Sequence, residues 1–209
     1  MKRTLLVSAS LILGCGEYAS SAIQAFGDHV FNKAHWSKSV FDAAVHLQDK
    51  TDFNSWIADE NLDREYQDFL AYLEENNVLD VVEPWQLMRQ GTDWEEEGHP
   101  PFAMAPRDKW HEILPTLELI RDDIIPEIGA VEVVSGYRTR EYNSVAGGSR
   151  NSQHLYFSAV DLIPEKRITR DTLVSSLRGI YVESGDHHHM GLGIYSNVRF
   201  HVDTHRNRT

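Results

Sequence analysis

Two short stretches of this chain alternate apolar and polar residues with a period of two: Ala159-Val160-Asp161-Leu162-Ile163 and Arg199-Phe200-His201-Val202-Asp203. Successive side chains of a strand point to opposite faces. The alternation therefore puts Arg199, His201 and Asp203 on one face, with Phe200 and Val202 on the other, and sets Asp161 and Ala159 apart from Val160 and Leu162. Such a chain needs a sheet whose one face is core and whose other face carries polar chemistry. His154 stands seven residues upstream of Asp161 in the H-x6-D spacing, so a loop returns it to the same place, and the small Ala159 leaves room there.

The remaining elements follow from periodicity and punctuation. Residues 131–135, 159–163, 193–195 and 199–203 read as strands, being rich in β-branched and aromatic side chains. Leu62, Tyr66, Phe69, Leu70 and Leu73 recur at helical spacing, and Val40, Phe41, Ala44 and Val45 make a shorter stripe. A further amphipathic segment carries Trp110, Ile113, Leu114, Leu117, Ile120 and Ile124, with Pro115 either kinking or starting it, and Thr169 caps a helix running to Gly179. Charge and turn formers crowd residues 91–101, where Pro100-Pro101 stops any helix. The pattern is α+β: an N-terminal leader over 1–15, a helical region over 16–100 and a mixed, site-bearing domain over 101–209.

Charge and cysteine usage narrow the partners. With 209 residues, 41% hydrophobic, the chain can bury a sizeable core, and its formal net charge of -12 repels a phosphate backbone, so nucleic acid is not expected. Lys2 and Arg3 precede an apolar run over residues 5–13 and then Gly14-Cys15. That is the layout of an export signal, and it is too short to span a bilayer. Cys15 sits where a bacterial lipoprotein carries its lipid. Lipidation of Cys15 with membrane attachment, plain cleavage nearby, a retained anchor and a buried N-terminal element all remain open. The expected location is the bacterial periplasm or cell envelope. Cys15 is the sole cysteine, which rules out an intramolecular disulfide.

Two imidazoles and one carboxylate, from His154, Asp161 and His201, make three metal ligands and leave a fourth position for water, the arrangement of a catalytic zinc site. The spacing alone also fits a core histidine paired with an aspartate. The run His187-His188-His189 reads as a solvated loop, or as a mobile one that brings an imidazole over the metal. Tyr137 and Tyr195 fit equally as oxyanion donors or core aromatics.

The motifs SGYRT (135–139), Asn143, Gly147-Gly148, SQHLYFSAVDL (152–162), GLGIY (191–195) and FHVDT (200–204), in that order, resemble the M15 family of zinc D-alanyl-D-alanine peptidases, in the branch with an HVD ending. A looser match, P-R-x-x-W, surrounds Pro106 to Trp110. The resemblance implies a central antiparallel sheet with flanking helices, shared with vancomycin-resistance D,D-dipeptidases and the hedgehog signalling domain. It also implies zinc-dependent cleavage of amide bonds in peptidoglycan stem peptides, by a carboxypeptidase or an endopeptidase. By the same resemblance His154, Asp161 and His201 are the zinc ligands and Arg138 contacts the substrate and stabilises the oxyanion. Ser152 and Gln153 match substrate-contacting positions, or close a loop by local hydrogen bonds, while Asn143 and Gly147-Gly148 belong to loop architecture.

Two departures from that pattern stand out. Phe157 replaces the Gly of the HxxGxAxD motif, so a different turn or a narrower pocket is expected. Val198 and Arg199 occupy positions where other branches carry a general base, and neither accepts a proton at neutral pH. Asp203 is the candidate base; orienting a metal-bound imidazole is its competing role. A catalytically inactive peptidoglycan-binding or envelope-scaffolding module is the alternative function, and a lysis enzyme would use the same chemistry without the export signal.

Overall fold

The computed structural model describes residues 49–195 and 197–205. The leader with Cys15 and the stripe at Val40, Phe41, Ala44 and Val45 lie outside the described residues. Helix α1 (Lys50–Asp59) starts at a reciprocal cap: the Asp49 carboxylate accepts from the amides of Thr51 and Asp52, and Asp52 accepts from the amide of Asp49. Helix α2 (Asp63–Glu75) carries the expected stripe, burying Phe69 and Leu73 and half-burying Tyr66 and Leu70. The two helices close over aromatic rings, with Phe53 4.9 Å from Tyr66 and 5.4 Å from Phe102 between centroids. No helix among the described residues is long and apolar enough to cross a membrane.

The loop that leaves Gly91 returns beside its own start. Arg89 bridges Phe102, the Gln90 amide donates to the Pro101 carbonyl at 3.0 Å, and the Gln90 side chain donates to the Pro100 carbonyl at 2.8 Å. Beyond it a 3-10 turn (Arg107–Ile113) leads into α3 (Leu114–Leu119), a π turn (Ile120–Ile124) and α4 (Ile125–Ile128). Pro115 therefore starts a helix instead of kinking one, in a first turn where its missing N–H goes unused. The wider π turn precedes Pro126, which has no N–H to give to the carbonyl four residues back.

Strands β1 (Val131–Ser135), β2 (Ala159–Pro164), β3 (Gly191–Ile194) and β4 (Phe200–Asp203) form one antiparallel sheet in the order β1-β2-β4-β3. The fold is thus the expected α+β arrangement, a four-stranded antiparallel sheet with flanking helices. Its register places Asp161 opposite His201 and His201 opposite Gly193, with Ala159, Asp203 and Gly191 in the next row. A register shift between Val133 and Ser135 brings Ser135 opposite Asp161 and turns the chain that follows toward that row.

Helix α5 (Arg140–Val145) begins at the Thr139 cap and helix α6 (Arg170–His188) at the Thr169 cap. The expected end of α6 at Gly179 is corrected by the structure. Gly179 faces open space, Ile180 beyond it is buried, and the helix stops only where His189 turns left-handed and the Met190 amide returns to the Gly185 carbonyl. The His187-His188-His189 run is consequently no mobile loop. His187 and His188 occupy the last helical turn, and His188 pairs with Asp123 at 3.0 Å.

One core joins Phe53, Phe69 and Leu73 of the first helices to Val160, Leu162, Phe200 and Val202 of the sheet. At its centre Phe69 lies 5.2 Å from Trp110 and 6.0 Å from Phe157. Because Phe69 has no solvent exposure, Phe69→Ala should lower stability by about 3–5 kcal/mol. A urea melt should show a lower midpoint with an unchanged slope, and an unchanged midpoint would contradict this packing.

Candidate metal centre

Asp161 is fully buried on β2, and everything around it answers that burial. Its Oδ2 faces two guanidinium groups: Arg138 Nη2 donates to it at 3.1 Å, and Arg199 Nη2 is its second ion-pair partner. Its Oδ1 lies 2.9 Å from His201 Nδ1, 3.4 Å from His154 Nε2 and 3.2 Å from the Tyr195 hydroxyl, which donates to it. Burial alone would raise the pKa of this carboxyl. His154, His201 and Arg199 overcome it and hold the group well below the usual carboxylate range, so it is ionised.

Each imidazole is fixed through its other nitrogen. His154 lies in a 3-10 turn (Gln153–Tyr156) and its Nδ1 is 2.7 Å from the Gly136 carbonyl. A carbonyl only accepts, so Nδ1 carries the proton and Nε2 presents a lone pair. Burial first, then the charge of Arg138, lowers the His154 pKa to about 4, which leaves the ring neutral at pH 7. Lone pair and carboxylate oxygen then face each other at 3.4 Å with nothing positive between them. A cation resolves that clash, and nitrogen and oxygen donors of this kind suit zinc.

His201 on β4 is held from the other side. Its Nε2 lies 3.1 Å from Asp203 Oδ2. Burial opposes its charge, but hydrogen bonds to Asp161 and Asp203 outweigh that and raise its pKa to about 9. In the metal-free protein His201 is therefore a cation, its Nδ1 proton occupying the side that a metal would take. One donor atom from each of His154, Asp161 and His201 lies within 4.8 Å of the others, a group that can hold a metal ion. Asp203 is 2% exposed and its carboxylate touches the ring nitrogen directed away from Asp161. A Cβ on Gly191, its strand neighbour, would overlap that carboxylate, so the site requires glycine there.

The other residues singled out in the sequence take definite places. Arg138 has its Nε on the Gln90 carbonyl and on Ser135 Oγ, both at 2.9 Å, which locks the guanidinium beside Asp161. Gln153 is buried and spends its amide inside its own loop, on the Asn151 carbonyl at 3.3 Å and the Ser158 hydroxyl at 3.2 Å. Ser152 is half-buried at the start of the 3-10 turn and makes no side-chain cap bond. Asn143 holds the following loop through the Ser149 carbonyl, Gly147 adopts a φ of 68°, and Gly148 leaves the space that the Asn143 amide fills. Tyr137 is a core ring against Phe157, whereas Tyr195 is 42% exposed with its hydroxyl in the ligand cluster.

Phe157, where the resemblance has glycine, itself adopts the left-handed conformation that glycine favours, φ 62° and ψ 30°. Its ring goes into the core against Phe69 and Tyr137. Two positioning residues escaped the sequence analysis. Gln90 is buried, its carbonyl accepting from Ser135 Oγ and Arg138 Nε and its side chain accepting from the Thr139 amide and hydroxyl. No local pattern in the sequence marks it. Arg199 cannot be a base, yet it shares a face with His201 by strand alternation, and its role is to pair with Asp161.

The family model described as Peptidase M15 matches residues 85–203, more than half of the chain. No curated protein and no solved structure is similar enough to count as a match.

Because His201 stays protonated below a pKa of about 9, a metal must displace that proton. Uptake at pH 7 should release about one proton, and the apparent affinity should climb about tenfold per pH unit until it levels near the His201 pKa. A titration in weak buffer with an indicator dye measures the release; none at pH 7 would refute a protonated His201. Gly191→Ala, which pushes Asp203 off His201, should weaken metal binding about 10–100-fold. Competition against a chromogenic chelator reads this, and wild-type affinity would show that Asp203 does not orient the ring.

Proposed function

The chain belongs to the peptidase M15 family, and from that membership together with the ligand cluster we propose that it is a zinc-dependent hydrolase of amide bonds in peptidoglycan stem peptides. The observation that carries this reading is the convergence of one donor atom each from His154, Asp161 and His201, with the far nitrogen of each imidazole already committed. Zinc held by these three side chains supplies Lewis acidity toward the scissile carbonyl and an activated water. Two histidines and one carboxylate leave coordination space for that purpose, unlike a closed structural site.

The chain's own residues do the rest. Asp203 keeps Nε2 of His201 engaged, which directs Nδ1 into the cluster; burial and that contact support an orienting role over the role of general base. Gly136 does the same for His154 through its carbonyl. Arg138, immobilised by Gln90 and Ser135, brings a permanent positive charge to the place where a carbonyl oxygen gains negative charge. Substrate specificity for D-alanyl-D-alanine and the HVD-type branch belong to the same proposal, and rest on the SGYRT, HLYFSAVDL and FHVDT segments.

Incubation of the purified chain with muropeptides, with and without a chelator, tests the proposal by mass spectrometry. Chelator-sensitive cleavage is expected, with free D-alanine marking a carboxypeptidase and split cross-linked dimers an endopeptidase. His154→Ala, Asp161→Ala and His201→Ala should each remove bound zinc and cleavage together. Full cleavage by metal-free protein would overturn the assignment.

A further inference from the structure

Tyr195 follows the last residue of β3 and is fixed on three sides. Its amide donates to the Arg199 carbonyl at 3.1 Å, its carbonyl accepts from Arg170 Nη2 at 3.2 Å, and the Arg199 guanidinium lies 4.9 Å from its ring centroid. This clamp delivers the phenol to the cluster. The hydroxyl donates to Asp161 Oδ1 at 3.2 Å, the same oxygen approached by both imidazoles. Yet the residue is 42% exposed, so part of it faces solvent beside the cluster. Tyr137, the other candidate, is 8% exposed and packs against Phe157 and Lys109.

The demand for such a donor is visible in Arg138. Its Nε is committed to Gln90 and Ser135 and its Nη2 to Asp161, so part of its hydrogen-bonding edge serves to hold the site together. A carbonyl oxygen becoming an oxyanion gains most from donors already oriented toward it. Asp161 Oδ1 is the oxygen that would help hold a cation, and both imidazoles already approach it. The phenol O–H beside it is an oriented donor that can turn to a carbonyl oxygen gaining negative charge there.

Resting on the hydrolase reading above, we infer that Tyr195 is a catalytic residue whose hydroxyl donates a hydrogen bond to the scissile carbonyl oxygen as it becomes an oxyanion, as a second donor beside Arg138. No proton is transferred in this role. The phenol stays neutral, and removing its oxygen removes the interaction while the ring and its contact with Arg199 remain.

Tyr195→Phe in the full zinc-loaded chain tests this with a stem-peptide substrate and a phosphinate peptide that mimics the tetrahedral oxyanion. We expect kcat to fall about 10²–10³-fold, KM to move by less than about threefold, the phosphinate to bind more weakly by a similar factor as kcat, and zinc affinity to stay at the wild-type value. Wild-type kcat and phosphinate affinity would overturn the assignment. So would a loss of zinc affinity with wild-type phosphinate binding at saturating zinc, because the phenol would then only position Asp161. If the wild-type chain binds zinc but cleaves no stem peptide, the hydrolase reading fails, and the phosphinate comparison still decides whether Tyr195 serves an oxyanion.

Discussion

A fully buried carboxylate, that of Asp161, is the constraint on which this structure depends. Taking an ionised carboxylate out of water costs several kcal/mol even after relaxation, and only charges and hydrogen bonds of good geometry recover it. The protein provides them in two directions. Oδ2 is given to Arg138 and Arg199, while Oδ1 is given to His201, Tyr195 and the neighbourhood of His154. The two guanidinium groups satisfy one oxygen and so leave the other to the imidazoles and the phenol. A proton answers the carboxylate on the His201 side, whereas on the His154 side a lone pair meets a carboxylate oxygen, and there a cation would be held.

Every partner of Asp161 is anchored to a different part of the chain, which is why the cluster needs the whole sheet and its surroundings. Arg138 is tied to Gln90, whose own position depends on the bridge between Arg89 and Phe102. Arg89 is itself buried, donating to the Val133 carbonyl at 2.7 Å and to Glu132 at 3.0 Å, and so sets β1 against the same segment. His154 hangs from the Gly136 carbonyl, and the Arg138 amide donates back to the His154 carbonyl at 3.1 Å. His201 and Arg199 come from the strand and turn that face β2. The loop 91–101, with its Glu95 to Glu97 run, is thereby an excursion between two residues that both bear on the site.

What the sequence reveals and what it hides divide along a physical line. Period-two alternation made β2 and β4 legible and with them the common face of Asp161, His201 and Asp203, because side-chain direction in a strand is fixed by the backbone. The His154 turn was reachable only through the order of motifs, since an H-x6-D spacing carries no geometry of its own. Gly179 looks like a stop signal, yet the buried Ile180 lies beyond it and the helix continues to His188. Gln90 left no trace because its role depends on contacts with residues 45 to 49 positions away, which no local pattern encodes.

Phe157 shows why the helical part matters to chemistry that it does not touch. A bulky residue in the left-handed region costs about 1–2 kcal/mol relative to its ordinary conformations, and here it stands three residues after His154. Compensation comes from packing: its ring is fully buried against Phe69 and Tyr137, and Lys109 holds the same loop by donating to the Leu155 carbonyl at 2.7 Å. Phe69 belongs to α2, upstream of the segment that the family model matches. A glycine at position 157 would form the turn without such support. By carrying phenylalanine instead, this chain makes the shape of its histidine loop depend on a helix outside the matched segment, so α2 is part of the scaffold of the site and not an appendage to it.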